Sequence, residues 1–159
     1  MNAAKDTVVI ILAAGKGTRM RSELAKVLHR AGGRTLLEHV IRACQALKPA
    51  QLLAVVGHQA NEVGALAESL GAQAIVQQPQ RGTGHAVQVA RRAIRKSAKL
   101  ALVVPGDAPL LQTATLAALL EPNLTAGTPM KPLPVIVTAV PPASSPASGL
   151  SLVTVGRGA

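Results

Sequence analysis

The chain contains no phenylalanine, tryptophan or tyrosine among its 159 residues. Its interior must therefore be aliphatic. No aromatic ring is available to stack on an exposed base, which argues against the platforms of single-strand nucleic-acid binders. Cys44 is the only cysteine. It cannot form a disulfide within the chain, which fits a reducing compartment, and its place on an apolar helix face suits packing. Acids are scarce, seven Asp and Glu against seventeen Lys and Arg, for a formal net charge of +10. None follows Glu121. No apolar run is long enough to span a membrane. The short run from Val8 to Ala14 has Asp6 before it and a charged glycine loop after it, so it reads as a first strand and not as a signal-peptide core. These absences leave a basic domain of cytoplasmic type whose cations favour anionic partners.

What is present is organised around Ile11-Leu12-Ala13-Ala14-Gly15-Lys16-Gly17-Thr18-Arg19-Met20. A buried-type strand breaks here into small residues, glycines and cations. Successive backbone N–H groups in such a turn can converge on an anion. Lys16, Arg19 and, shortly after, Lys26 supply charge. The dinucleotide fingerprint G-x-G-x-x-G fails because Met20 stands at its third glycine, and the P-loop spacing is also missing. The bottom-up reading is a strand ending in a loop that grips a polyphosphate.

Apolar runs at Val8–Leu12, Leu52–Val56, Ala74–Val76 and Leu100–Val104 read as strands. Helical spacing links Leu37, Val40, Ile41, Cys44 and Leu47 after a capping box at Thr35 and Glu38. It recurs at Val63, Leu66, Ala67 and Leu70, again at Ala86, Ala90, Ala93 and Ile94, and after Thr113 through Leu120. The cations from Arg91 to Lys99 read as the solvated end of the third of these helices. Alternating strands and helices predict an α/β fold of Rossmann-like type, a mostly parallel sheet covered on both faces. Three unusual loops follow Leu12, Val76 and Val104. Each lies at a strand's carboxyl end, so all three should share the rim where ligands bind.

Four segments carry a family resemblance: the first loop, Lys26-Val27-Leu28-His29, Gln80-x-Gly82-Thr83-Gly84-His85-Ala86, and Gly106-Asp107-x-Pro109-Leu110. Together they resemble the bacterial N-acetylglucosamine-1-phosphate uridyltransferases of the sugar-nucleotidyltransferase superfamily, from about Val8 to Leu120. The resemblance implies attack of an amino-sugar 1-phosphate on the α-phosphorus of UTP, with release of pyrophosphate, in synthesis of a cell-wall precursor. It implies that Leu12, Ala13, Ala14 and Gly15 contact the nucleotide through their backbone. Arg19 and Lys26 would be catalytic, neutralising phosphate charge. Gln77 would read the uracil edge, and Gly82 and Thr83 would close over base and ribose. Pro105, Gly106 and Asp107 would complete the nucleotide site, with Asp107 holding Mg²⁺. His29 and His85 read as structural, because neither has a partner at ligand spacing. His39 and His58 carry no assignment.

The chain departs from the family at Pro105, where a tyrosine-like or small residue is usual. Downstream, the expected sugar-gripping segment is not recognisable. We therefore expect a nucleotide-binding part over residues 1–140, a Pro/Ser/Ala-rich irregular tail over residues 141–159, and a sheet incomplete on its C-terminal side. Leu150–Val155 reads either as an edge strand or as loose chain. A frameshift near Pro141 would account for the loss of acids. Other readings stay open at this stage: a UTP-binding fragment without catalysis, another sugar-nucleotide pyrophosphorylase, or a basic nucleic-acid binder, for which no motif is present.

Overall fold

The run at the start of the chain fixes the architecture. In the computed structural model, which describes residues 3–17, 20–120, 136–139 and 151–154, it forms strand β1 (Thr7–Ala13), with Val8, Val9, Ile10 and Ile11 each 0% exposed. A strand this apolar on both faces needs a neighbour on each side and a layer above and below. A 3₁₀ turn at Lys26–Leu28 comes next. A short hairpin follows, β2 (Arg30–Ala31) and β3 (Arg34–Thr35), closed by Gly32-Gly33. Then come α1 (Leu36–Gln45), β4 (Gln51–Val56), α2 (Ala60–Ser69), β5 (Gln73–Val76), α3 (Thr83–Arg91), β6 (Leu100–Pro105) and α4 (Thr113–Leu120). Strands β7 (Ile136–Ala139) and β8 (Ser151–Thr154) are the last of the described elements.

The sheet runs β5-β4-β1-β6-β7-β8. The pairs β5/β4, β4/β1 and β1/β6 are parallel, whereas β7 and β8 join antiparallel. From β1 the chain steps outward through β4 to β5, then returns to the other side of β1 with β6. The order therefore reverses between β1 and β6, and a crevice opens beyond their carboxyl ends.

Alternation along β1 sorts the core into two layers. Val9, Ile11 and Ala13 meet Leu37, Val40, Ile41 and Cys44 of α1, Val63 and Ala67 of α2, and Leu116 of α4. Val8 and Ile10 pack with Ala86 and Ala90 of α3. The fold is the expected Rossmann-like α/β sheet, and the four expected strands appear within a residue or so of their predicted bounds. The hairpin and the 3₁₀ turn were not anticipated. At α1 the Thr35 hydroxyl accepts from Glu38 N–H at 3.1 Å. The Glu38 carboxylate pairs instead with Arg42, at 2.9 Å, and Arg34, at 3.6 Å, so only half of the capping box forms. The Pro141–Gly149 stretch lies outside the described residues, and Ser151–Thr154 takes the edge-strand alternative. Among the described residues no helix is long and apolar enough to cross a membrane.

Burial raises the Cys44 thiol from 9.0 to about 12. The folded state thus holds this proton more tightly than the unfolded chain. The stabilisation is complete below the ordinary thiol range and is lost as pH climbs toward the folded value. Urea unfolding at about pH 7 and about pH 10 should show a larger alkaline loss for the parent than for Cys44→Ala, which has no thiol to ionise on unfolding.

Candidate functional site

The loops after β1, β5 and β6 converge at the crevice and enclose a cavity of about 420 Å³. Leu12, Ala14, Gly15 and Gly17 line it from the end of β1, and Lys26 and Val27 from the 3₁₀ turn. Gln77, Gln80, Gly82, Thr83 and Ala86 line it from the β5–α3 segment, and Pro105 and Asp107 from the end of β6. Nine expected nucleotide-site residues are thus brought together. Ala13 and Gly106 stand behind the lining. Ala13 is 1% exposed because the strand's alternation turns its side chain into the core. Gly106 backs onto β1, its N–H donating to the Leu12 carbonyl at 2.9 Å. Arg19 lies outside the described residues.

Two charges meet across the crevice, where the Lys26 ammonium pairs with the Asp107 carboxylate. Both side chains are substantially exposed, so the pair contributes only about 0–1 kcal/mol to stability. Its importance lies in orientation. Gly17 makes room for the lysine: it sits at φ +67°, and a Cβ there would fall 2.6 Å from the Lys26 Cβ. A side chain at Gly17 would meet both an unfavourable backbone angle and a steric clash.

Gln77 is 3% exposed and firmly held. Its backbone N–H extends the β4–β5 ladder to the Val56 carbonyl at 2.7 Å. Its side-chain nitrogen donates to the Gly82 carbonyl at 3.0 Å and to His85 Nδ1 at 3.1 Å. Both amide donors are therefore used within the β5–α3 segment, and the amide oxygen has no partner among the described residues. The arrangement also fixes His85 as the tautomer protonated on Nε2. His29 does not line the cavity, and its buried Nε2 has no partner among the described residues.

Sequence reasoning places Gly17 in the phosphate-gripping loop but gives no site role to Gln80, Val27 or Ala86, although all three stand in segments that carry the resemblance. Gln80 had a signal, since it shares a polar, glycine-bearing loop with Gln77. In the orientation that satisfies both ends of its amide, the nitrogen faces the Ala14 carbonyl at 3.3 Å and the oxygen faces His58 N–H at 2.7 Å. The loops after β1, β4 and β5 are thus tied at one point. Val27 and Ala86 are apolar and announce nothing chemically.

Among the described residues, no group of three or more His, Cys, Asp or Glu could hold a metal. Asp107 is the one carboxylate at the described lining. Such a donor set suits a hard cation that takes most of its oxygens from a phosphate ligand and from water, as Mg²⁺ does.

The description of one protein family, the MobA-like NTP transferase domain, matches residues 9–150. The chain belongs to this family. It is similar to the Bifunctional protein GlmU of Bordetella parapertussis, 50% identical over 117 residues that make up 71% of this chain and 26% of that protein. The GlmU of Rubrobacter xylanophilus is 47% identical over 125 residues, 79% of this chain and 26% of the relative. The chain therefore spans about a quarter of the length of these relatives. Among solved structures, a nucleotidyl transferase from Methanothermobacter superposes with TM-score 0.66 at 23% identity, over 73% of this chain and 57% of that one. The CTP:phosphocholine cytidylyltransferase of Streptococcus pneumoniae superposes with TM-score 0.55 at 19% identity, over 68% of this chain and 50% of that one. These two likenesses support the NTP transferase fold alone.

A Cβ at position 106 would lie 2.8 Å from the Leu12 carbonyl oxygen, a backbone atom that cannot swing away. Gly106→Ala should destabilise the fold by about 1–3 kcal/mol in urea denaturation, through overpacking between β1 and β6.

Proposed function

We propose that the cavity is a UTP site, and that the chain supplies the nucleotide-binding part of a uridylyltransferase that acts on N-acetylglucosamine 1-phosphate. The observation that carries this reading is the convergence of the glycine loop, Lys26, Asp107 and Gln77 on one crevice at the sheet's switch point. The likeness to GlmU supports the choice of substrates.

On this reading the backbone N–H groups of the glycine loop face the phosphates. The first turn of α3, from Thr83, adds the positive end of a helix. Lys26 and Arg19 neutralise charge as the leaving pyrophosphate develops it. Asp107 would hold Mg²⁺, which supplies charge neutralisation at the phosphate oxygens when bound. Lys26 and Asp107 would then exchange each other for phosphate and metal. A sugar 1-phosphate oxygen forms a bond to the α-phosphorus as the bond to pyrophosphate breaks. Positioning and electrostatics accomplish this without a protein nucleophile. The free amide oxygen of Gln77 would accept the N3–H of uracil. Cytosine has no hydrogen at N3 and would leave that acceptor unsatisfied. The cytoplasm, where nucleoside triphosphates are held, is the compartment this reading requires, and the lone reduced thiol agrees with it.

Calorimetric titration with UTP and Mg²⁺, with CTP as comparator, tests the proposal. UTP should bind in preference to CTP. Asp107→Ala should weaken Mg²⁺-dependent binding about 10–100-fold, the equivalent of one contact to a charged group. A folded chain that binds neither nucleotide would overturn the reading.

A further inference from the structure

The turn after β4 holds a backbone conformation that its sequence does not favour. Gln59 sits at φ +48° and ψ +48°, a left-handed geometry in which a side chain is crowded. It immediately precedes α2, yet its side chain makes no capping bond to that helix. The side chain instead serves a distant segment. Its Oε1 accepts from the Ala25 N–H at 2.5 Å, across a sequence separation of 34 residues. Ala25 is wholly buried, and its carbonyl accepts from Leu28 N–H at 2.9 Å to open the 3₁₀ turn that begins with Lys26. The preceding residue, His58, adds a second tie, its Nε2 lying 3.2 Å from the Glu23 carbonyl oxygen.

We propose that Gln59 is a positioning residue: from its left-handed turn it holds Ala25 by the backbone, and so aims Lys26 into the cleft for the nucleotide phosphates. The inference rests on the proposed UTP site. The turn lies outside the cavity lining but is bonded to Ala14, which lines it, and backbone strain retained beside a site commonly accompanies such a role. Of the bonds that join the loops after β1 and after β4, the one from Gln59 acts on the residue directly before the lysine.

Two variants separate positioning from simple stability. Gln59→Gly accepts the left-handed backbone freely and loses the clamp. Gln59→Asn tolerates the same backbone, but its side chain is one methylene too short to reach Ala25. Melting temperature, UTP–Mg²⁺ affinity and amide hydrogen exchange over residues 23–28 are measured for both variants and the parent. Both variants should keep the parent's melting temperature to within about 3 °C, because relief of strain offsets the lost bond. Both should bind UTP about fivefold to tenfold more weakly, and the 23–28 segment should exchange faster. Parental affinity in both variants, or a fall in affinity that only follows a fall in melting temperature, would overturn the positioning role alone. A parent chain that does not bind UTP would overturn the function reading and the role together.

Discussion

The cleft depends on the close pairing of β1 and β6 at their carboxyl ends. Leu12 lies opposite Pro105 in the parallel register, and the next residue, Gly106, still donates to the Leu12 carbonyl at 2.9 Å. The two backbones stay together one step past the end of β6 before they diverge. Only a residue without a side chain allows this, and it is what brings Asp107 beside the glycine loop. Had the strands parted earlier, the carboxylate and the Lys26 ammonium would lie on separate loops with no common point. The Lys26–Asp107 pair is thus a consequence of sheet register, and its own contribution to stability is small.

Placing the lysine requires more than register. A four-carbon stem has many rotamers, and fixing it costs conformational entropy of up to about 2 kcal/mol. The structure limits that cost by constraining the backbone on which the lysine is carried. Gly17 leaves a space into which the Lys26 Cβ fits. Ala25 is buried and bonded through both its N–H and its carbonyl. Val27, on the other side, is packed in the core. The ammonium is therefore half-exposed on a rigid base, an arrangement that lowers the ordering cost of binding an anion.

Much of this was legible in the sequence. The four parallel strands are short apolar runs bounded by turn residues, and the rim follows from their alternation with helices. Lys26 stands out as a cation close to the glycine loop and Asp107 as a scarce acid directly after a buried strand, whereas the role of Gln77 comes from the family resemblance and not from its own pattern. The hairpin at Arg30–Thr35 carried a readable Gly-Gly signal between two short arms, but the arms contain too few apolar residues to suggest strands. Gln59 was not readable at all. A glutamine has no preference for the left-handed region, and its partner is a backbone N–H in another loop, so neither local propensity nor periodicity marks it. Ala13 is expected to act through its backbone, so the turning of its side chain into the core by strand alternation leaves that expectation untouched.

The lack of aromatic residues gives the candidate base site a particular character. With no ring to stack on, a pyrimidine would have to be held by its edge and by the backbone at the start of α3. Edge recognition discriminates only if the protein's own donors and acceptors cannot turn to suit either base. A free glutamine amide could present either end, and would accept uracil or cytosine by rotation. At Gln77 that freedom is removed: the nitrogen is spent on the Gly82 carbonyl and on His85 Nδ1, so the oxygen is the end left to face a ligand. On the proposed reading, discrimination therefore resides in the pair of residues that lock the amide as much as in the glutamine itself. A buried acceptor left unsatisfied by the wrong base costs about 1–3 kcal/mol, enough to separate two otherwise similar nucleotides by tenfold or more.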